Sequence, residues 1–366
     1  MIIKSLELDR YRNYDTLQIS LDQGINIFYG DNAQGKTNIL EAVSMFSMGK
    51  SIRARREQEL ILNGAEDGEL HLVFSDSQRR HESGIYLGRN RRKRILVNDI
   101  PLRKNSELMG RFCVVYFGPE NLDMVKDGPA VRRRNIDMFI SQLHPGYFSA
   151  LSQIRQIIEQ KTALLRADSP DTMMLEVLNE RFCLAAVEVI EKRSRYLRKI
   201  EEKAACFQQE ISGGNEILAM QYKSCIGNAA ERSQEDILRA VRDKMEENSR
   251  RELERRECLT GPHREDIIFS INGLEAKAFA SQGQQKTVVL VEKLAEVSLL
   301  LEETGEVPVL LLDDIMSELD RKRQKYILNS IRDMQILITC TDTEGFKQNE
   351  PAALFHVEAG AVRQMS

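Results

Sequence analysis

Gly30-Asp-Asn-Ala-Gln-Gly-Lys-Thr37 fits G-x-x-x-x-G-K-[ST], the loop pattern that cradles phosphates, and its flanks support the match. Ile25, Ile27 and Phe28 before it read as a strand, and Asn38 to Met48 after it read as a helix. Gly30 and Gly35 can take backbone angles closed to residues with a Cβ. The successive N–H groups of Asp31, Asn32, Ala33 and Gln34 then turn inward as an anion nest at a helix N-terminus. In that nest Lys36 would set its ammonium on the β and γ phosphates of a nucleotide, and the Thr37 hydroxyl would ligate Mg²⁺. A plain Gly-rich turn is the alternative, and the flanking strand and helix weigh against it.

Such a loop needs a carboxylate for the metal ion and a group to place the attacking water. Val309-Leu-Leu-Leu-Asp313-Asp314 offers both, as an apolar strand whose end presents two acids. Asp313 is expected to partner Mg²⁺, directly or through water, and Asp314 to orient water, though it is one methylene shorter than glutamate. Ser281-Gln-Gly-Gln-Gln285 is expected to open a helix. The Ser281 hydroxyl, the Gly283 backbone and Gln284 at that helix start make a second anion-binding surface. One chain cannot readily use two phosphate cradles on one nucleotide. The simple solution is a dimer in which Ser281 of one copy faces the nucleotide held by Lys36 of the other, with Ser317-Glu-Leu-Asp320 as a loop across the interface.

Composition sets the outer limits. The chain has 366 residues, 42% of them apolar, enough for two domains or one large domain with an insertion. No apolar run approaches the ~18 residues of a membrane span, the start shows no signal-peptide pattern, and six scattered cysteines without C-x-x-C speak against zinc or a disulfide framework. A reducing cytoplasm and no membrane partner are expected. The net charge of −4 is unevenly spread: Lys50 to Arg134 holds 18 basic against 12 acidic residues, the remainder 34 against 44. That asymmetry hints at an anionic partner.

Along the chain, two strands joined by Arg10-Tyr-Arg-Asn-Tyr14 precede the glycine loop, and residues 69–117 alternate as hairpin strands. From about Asp123 the period turns helical: Val131 to Leu143, Tyr147 to Ala167, Thr172 to Ile211 and Gln234 to Glu254. The third of these would reach roughly 60 Å as a short antiparallel arm. Strand texture returns with Ile267 to Ile271. The expected fold is α/β, a P-loop ATPase head with a mixed sheet, flanking helices and a β-rich subdomain, interrupted by an inserted helical arm. The expected domains are 1–122, the head's first half; 123–256, the insertion; and 257–366, the head's second half.

The order of these motifs resembles the ATP-binding-cassette ATPases, within them the Rad50 and structural-maintenance-of-chromosomes heads, and most closely the RecF family of DNA replication and repair proteins. The resemblance rests on Tyr11-Arg-Asn-Tyr14, Gly30 to Thr37, Tyr116-Phe-Gly-Pro-Glu-Asn-Leu122, Arg132-Arg-Arg134, Thr260-Gly-Pro-His-Arg-Glu-Asp266, Ser281 to Gln285 and Leu312 to Asp320. It implies a slow ATPase that dimerises on ATP and binds DNA, single- or double-stranded or gapped. It implies too that the protein supports recombinase loading with mediator proteins of the RecR and RecO type, and that Arg12 and Asn13 belong to the nucleotide site. Two departures stand out. Gly118-Pro-Glu120 occupies the place where cassettes often put a metal-sensing glutamine, and Thr339-Cys-Thr-Asp342 the place of a histidine, which favours a switch over a motor.

Some readings stay open. His263 fits a buried structural loop or a catalytic role, and Arg53, Arg55, Arg56 and Arg91 to Arg94 fit a DNA surface or ordinary solvation. A transporter's energising subunit would use the same ATP chemistry, but the insertion is too large and charged for membrane coupling. A P-loop kinase would leave the Ser281 helix without a job.

Overall fold

In the computed structural model, which describes residues 1–330, 333–343 and 352–365, the strand, loop and helix around Gly30 lie where the sequence places them. β1 (Ile2–Tyr11) and β2 (Tyr14–Ser20) pair antiparallel across a tight corner, with Arg10 and Arg12 at positive φ. β3 (Ile25–Tyr29) delivers the glycine loop to α1 (Lys36–Met48). Then follow β4 (Asp67–Ser75), β5 (Arg80–Gly88), β6 (Arg94–Val97) and β7 (Ile100–Pro101), which with β1 and β2 form an antiparallel sheet in the order β2-β1-β4-β5-β6-β7. Burial alternates along β4, as expected of a sheet with one face on the core. β8 (Val114–Phe117) and a short α2 (Pro119–Leu122) close this half.

The middle of the chain holds α3 (Pro129–Leu143), α4 (Pro145–Leu165), the 41-residue α5 (Thr172–Ser212), β9 (Leu218–Lys223) and α6 (Gln234–Arg255). Asp171 caps α5 by accepting from the Met174 amide at 3.0 Å, and Gly213 ends it in the left-handed conformation. β10 (Asp266–Ile271), β11 (Leu274–Glu275), α7 (Ala276–Phe279) and α8 (Gln282–Thr304) follow. The chain then runs through β12 (Val309–Asp313), α9 (Arg321–Ser330), β13 (Ile336–Cys340), β14 (Ala352–Glu358) and β15 (Ala361–Met365).

The second large sheet has the order β15-β14-β3-β13-β12-β8, parallel throughout except for β15. Its central strands β12 and β13 are buried at every position, which is why both read as unbroken apolar runs. α1 packs on β8, β12 and β13 and also on β4 of the antiparallel sheet, so it lies between two sheets. That explains a helix whose residues from Ile39 to Met48 are buried on all sides rather than along one stripe.

The residues group into two compact units, 1–122 with 296–366 and 123–295. One division falls between 122 and 123 and the other within α8. The reason for the latter is a third sheet, β11-β10-β9, that the sequence did not reveal. β10 pairs antiparallel with β9, a strand inside the stretch read as wholly helical, so residues 257–275 are tied to the helical unit. Ser281 accordingly belongs to that unit as well. Among the described residues no helix is long and apolar enough to cross a membrane.

Candidate functional site

In the first unit, β3, β12 and β13 end side by side, and their parallel register puts the polar residues after the apolar runs at one edge. Asp313 pairs in register with Thr339, and Leu311 with Tyr116. Asp313 is 3% exposed and accepts three hydroxyl hydrogen bonds: Thr37 Oγ1 at 2.8 Å and Thr339 Oγ1 at 2.7 Å on Oδ1, and Tyr116 OH at 2.9 Å on Oδ2. The Tyr116 hydroxyl is raised far above its ordinary pKa, first by burial and then by Asp313 and Glu120, so it stays an O–H donor. Thr37 and Asp313 together offer hard oxygen donors close enough for one Mg²⁺, an ion that keeps several waters and takes few protein ligands. The donor set fits that ion.

The glycine loop is shaped by its neighbours. Gly35 sits at φ 112°, and a Cβ there would lie 2.5 Å from Asn13 Nδ2 and 2.9 Å from the Tyr14 hydroxyl. Gly30, at φ 149°, has the Val357 carbonyl oxygen 2.3 Å from where a Cβ would stand. Asn13 Nδ2 donates to the Gln34 carbonyl at 2.9 Å, Tyr14 OH to the Gly35 carbonyl at 3.0 Å, and the Ala359 amide to Gln34 Oε1 at 2.6 Å. The β1–β2 corner and the β14–β15 turn thus brace the loop from outside, while Asp31, Asn32 and Ala33 remain exposed. Lys36 Nζ folds back to donate to the Gly30 and Asp31 carbonyls at 2.6 and 2.7 Å, placing a largely buried ammonium within the loop.

Asp314, half-buried and at φ 52°, donates its amide to Thr339 Oγ1 at 2.9 Å. Its carboxyl is raised above the usual range, first by burial and also by the charge of Asp313, while Ser317 and Lys36 oppose the shift. Asp320 turns to α9, accepting from the Arg323 amide at 2.9 Å. Arg12 makes a two-pronged ion pair with the buried Glu41 of α1, at 2.7 and 2.9 Å, and donates to the Glu59 carbonyl. It therefore reaches the loop region through α1, whereas Asn13 touches the loop itself.

In the second unit, Ser281 Oγ accepts from the Gln284 amide at 3.2 Å and Gln284 Oε1 from the Ser281 amide at 2.8 Å, a reciprocal cap at the start of α8. Gln284 Nε2 also donates to Glu216 at 2.9 Å, and Gly283 lies in the first turn. The Thr260 to Asp266 stretch acts as a local binder: Asp266 accepts both prongs of Arg132, and Glu265 accepts from Arg193 and Ser224 at 3.0 and 2.8 Å. His263 Nε2 donates to the Cys258 carbonyl at 3.2 Å, and burial lowers its pKa, which fits the structural reading. Of the basic residues, the exposed Arg91 pairs with Asp67 and Lys93 pairs with Glu57, while Arg53, Arg55, Arg56, Arg92 and Arg94 are exposed as well. Sequence reasoning missed Tyr116 and Thr339 as holders of Asp313. The available signal was their position at the ends of apolar strands, where a parallel sheet aligns side chains.

The family model described as RecF/RecN/SMC N-terminal domain matches residues 2–363. The chain is 38% identical over 99% of both chains to the DNA replication and repair protein RecF of Agathobacter rectalis. It superposes, with a TM-score of 0.92 and 32% identity over 100% of this chain and 98% of the other, on a solved structure described as the recombination mediator protein RecF with ATP in the RecFOR pathway. A Pyrococcus furiosus Smc head domain shares the fold at TM-score 0.55 and 16% identity, covering 100% of this chain and 96% of that one. With its P-loop head and its interrupting helical unit, the chain belongs to the RecF family of DNA replication and repair proteins.

Proposed function

We propose that the protein is an ATP-driven switch that dimerises on nucleotide binding and so controls its hold on DNA in recombinational repair. The carrying observation is the 2.8 Å hydrogen bond from Thr37 to Asp313, together with a Lys36 ammonium held by the Gly30 and Asp31 carbonyls, an arrangement that supports a phosphate-and-metal half-site. Bound ATP with Mg²⁺ supplies the scissile phosphoanhydride. Lys36 and the amides from Asp31 to Gly35 would hold its phosphates, Thr37 and Asp313 would hold the ion, and Asp314 would orient water. Ser281, with Gly283 and Gln284 at the start of α8, completes the site of a second copy. The relatives' description as DNA replication and repair proteins and the solved RecF with ATP support this reading.

Hydrolysis is slow, because Asp314 has a short reach and Thr339-Cys-Thr-Asp342 carries no histidine. Closing two heads builds a basic surface for single-stranded, duplex or gapped DNA, with Arg53, Arg55, Arg56, Arg91, Arg92 and Arg94 as its exposed candidates. Mediators of the RecR and RecO type are the proposed protein partners, and the cytoplasm the compartment. Light scattering and DNA binding, each with and without ATP, test the switch. Wild type should become dimeric and bind DNA more tightly with ATP. Lys36→Met should lose nucleotide and dimer together, and Ser281→Arg should keep nucleotide but stay monomeric. Wild type that remains monomeric at saturating ATP, or binds DNA equally without it, sinks the proposal.

A further inference from the structure

β9 is the terminal strand of the β11-β10-β9 sheet, so one row of its backbone groups pairs with no strand. The Met220 amide identifies that row: it points away from β10 to Glu201 Oε1 of α5 at 2.9 Å. Leu218 and Tyr222, two residues to either side, share its orientation. Along this edge runs a cavity of ≈ 890 Å³ walled by Arg198 and Glu201 of α5, Gln221 and Lys223 of β9, and Asn228 and Ala230 of the following loop. A second cavity of ≈ 400 Å³ shares Arg198 and Ala230 and adds Arg195, Lys199 and Arg232. Five cations thus surround a groove with three carboxylates, Glu191, Glu201 and Glu202.

We propose that this groove docks an extended acidic peptide, which joins the sheet beyond β9 as its next strand. A strand edge offers amides and carbonyls alternately, and a peptide backbone answers both, whereas a phosphate chain answers only the donors. The cations select acidic side chains on the incoming strand. Glu201 of α5 occupies the Met220 amide in the absence of a peptide, a role like that of the charges that protect natural edge strands, and yields it when the peptide arrives. The inference does not depend on the nucleotide reading, since every residue in it belongs to the helical unit.

The test uses the full-length protein and a fluorescein-labelled peptide of about eight residues alternating glutamate with valine. Anisotropy should report binding, and amide exchange should slow at Leu218, Met220 and Tyr222. Arg198→Glu combined with Lys223→Glu should weaken binding about tenfold or more, and Glu201→Ala should strengthen it severalfold, with melting and ATP binding unchanged. A peptide of the same charge carrying proline at alternate positions should not bind. The proposal is overturned if the first peptide fails to bind, if the proline peptide binds equally well, or if exchange slows elsewhere. It is also overturned if an oligonucleotide, and not the peptide, protects the groove. Should the double variant misfold, the Glu201→Ala and proline-peptide arms still decide.

Discussion

Asp313 in the head and Arg193 in the helical unit are both buried charges, 3% and 2% exposed, yet their surroundings differ in kind. Asp313 is held by three neutral hydroxyls, which orient a carboxylate without cancelling its charge. Arg193 is met by two carboxylates, Asp137 at 2.9 and 3.0 Å and Glu265 at 3.0 Å, and also donates to the Pro262 carbonyl at 2.8 Å and the Tyr147 hydroxyl at 3.2 Å. One site leaves its charge uncancelled, while the other has its charge met by carboxylates. Burial of a charged group therefore does not mark function; the character of its partners does.

The largest effect expected from that contrast is at Arg193. Arg193→Leu strands Asp137 and Glu265 without their cation and should cost about 3–5 kcal/mol of stability, read by urea unfolding of the helical unit. ATP affinity should hardly change. A cost below about 1 kcal/mol would show that the network is not what holds α3, α5 and the Thr260 to Asp266 stretch together.

A smaller effect, on the opposite side of the comparison, is expected at Gly35. Gly35→Ala forces a Cβ to within 2.5 Å of Asn13 at φ 112°, so the loop must shift away from the β1–β2 corner. The strain should cost about 1–3 kcal/mol, most of it appearing as weakened nucleotide binding, because loop shape is what the nest requires. Calorimetric titration with ATP would show this. Undiminished affinity would mean that the brace from Asn13 and Tyr14 is dispensable.

These two sites were unequally legible in the sequence. The glycine loop, Thr37 and Asp313 could be read because they are local: a strand, a turn and a helix start carry their own patterns. The four helices of the insertion were legible for the same reason. β9 was not, because Leu218 to Lys223 is six residues long with polar alternation, and its strand state depends on pairing with β10 more than forty residues away. The partnership of Arg193 with Asp137 and Glu265 was hidden too, since nothing in a glutamate-laced helix shows which arginine turns inward. The reciprocal cap between Ser281 and Gln284 follows a recognisable S-x-x-Q spacing, so this feature of the helix start was legible in the sequence.

The smallest effect is expected at Tyr116, where the contrast is sharpest. Its hydroxyl is one of three donors on Asp313, so Tyr116→Phe should lower stability by only about 0.5–1.5 kcal/mol. Asp313 remains bonded to Thr37 and Thr339 on Oδ1, but Oδ2 is freed to swing. If Tyr116 positions the metal carboxylate, the variant should need several times more Mg²⁺ for half-maximal ATP hydrolysis, while ATP binding measured without Mg²⁺ stays at the wild-type value. A merely structural tyrosine would move stability and leave the Mg²⁺ dependence in place. That outcome would put Asp313 in the same class as Arg193, a charge held for the fold, and would leave Thr37 without a metal partner in this chain.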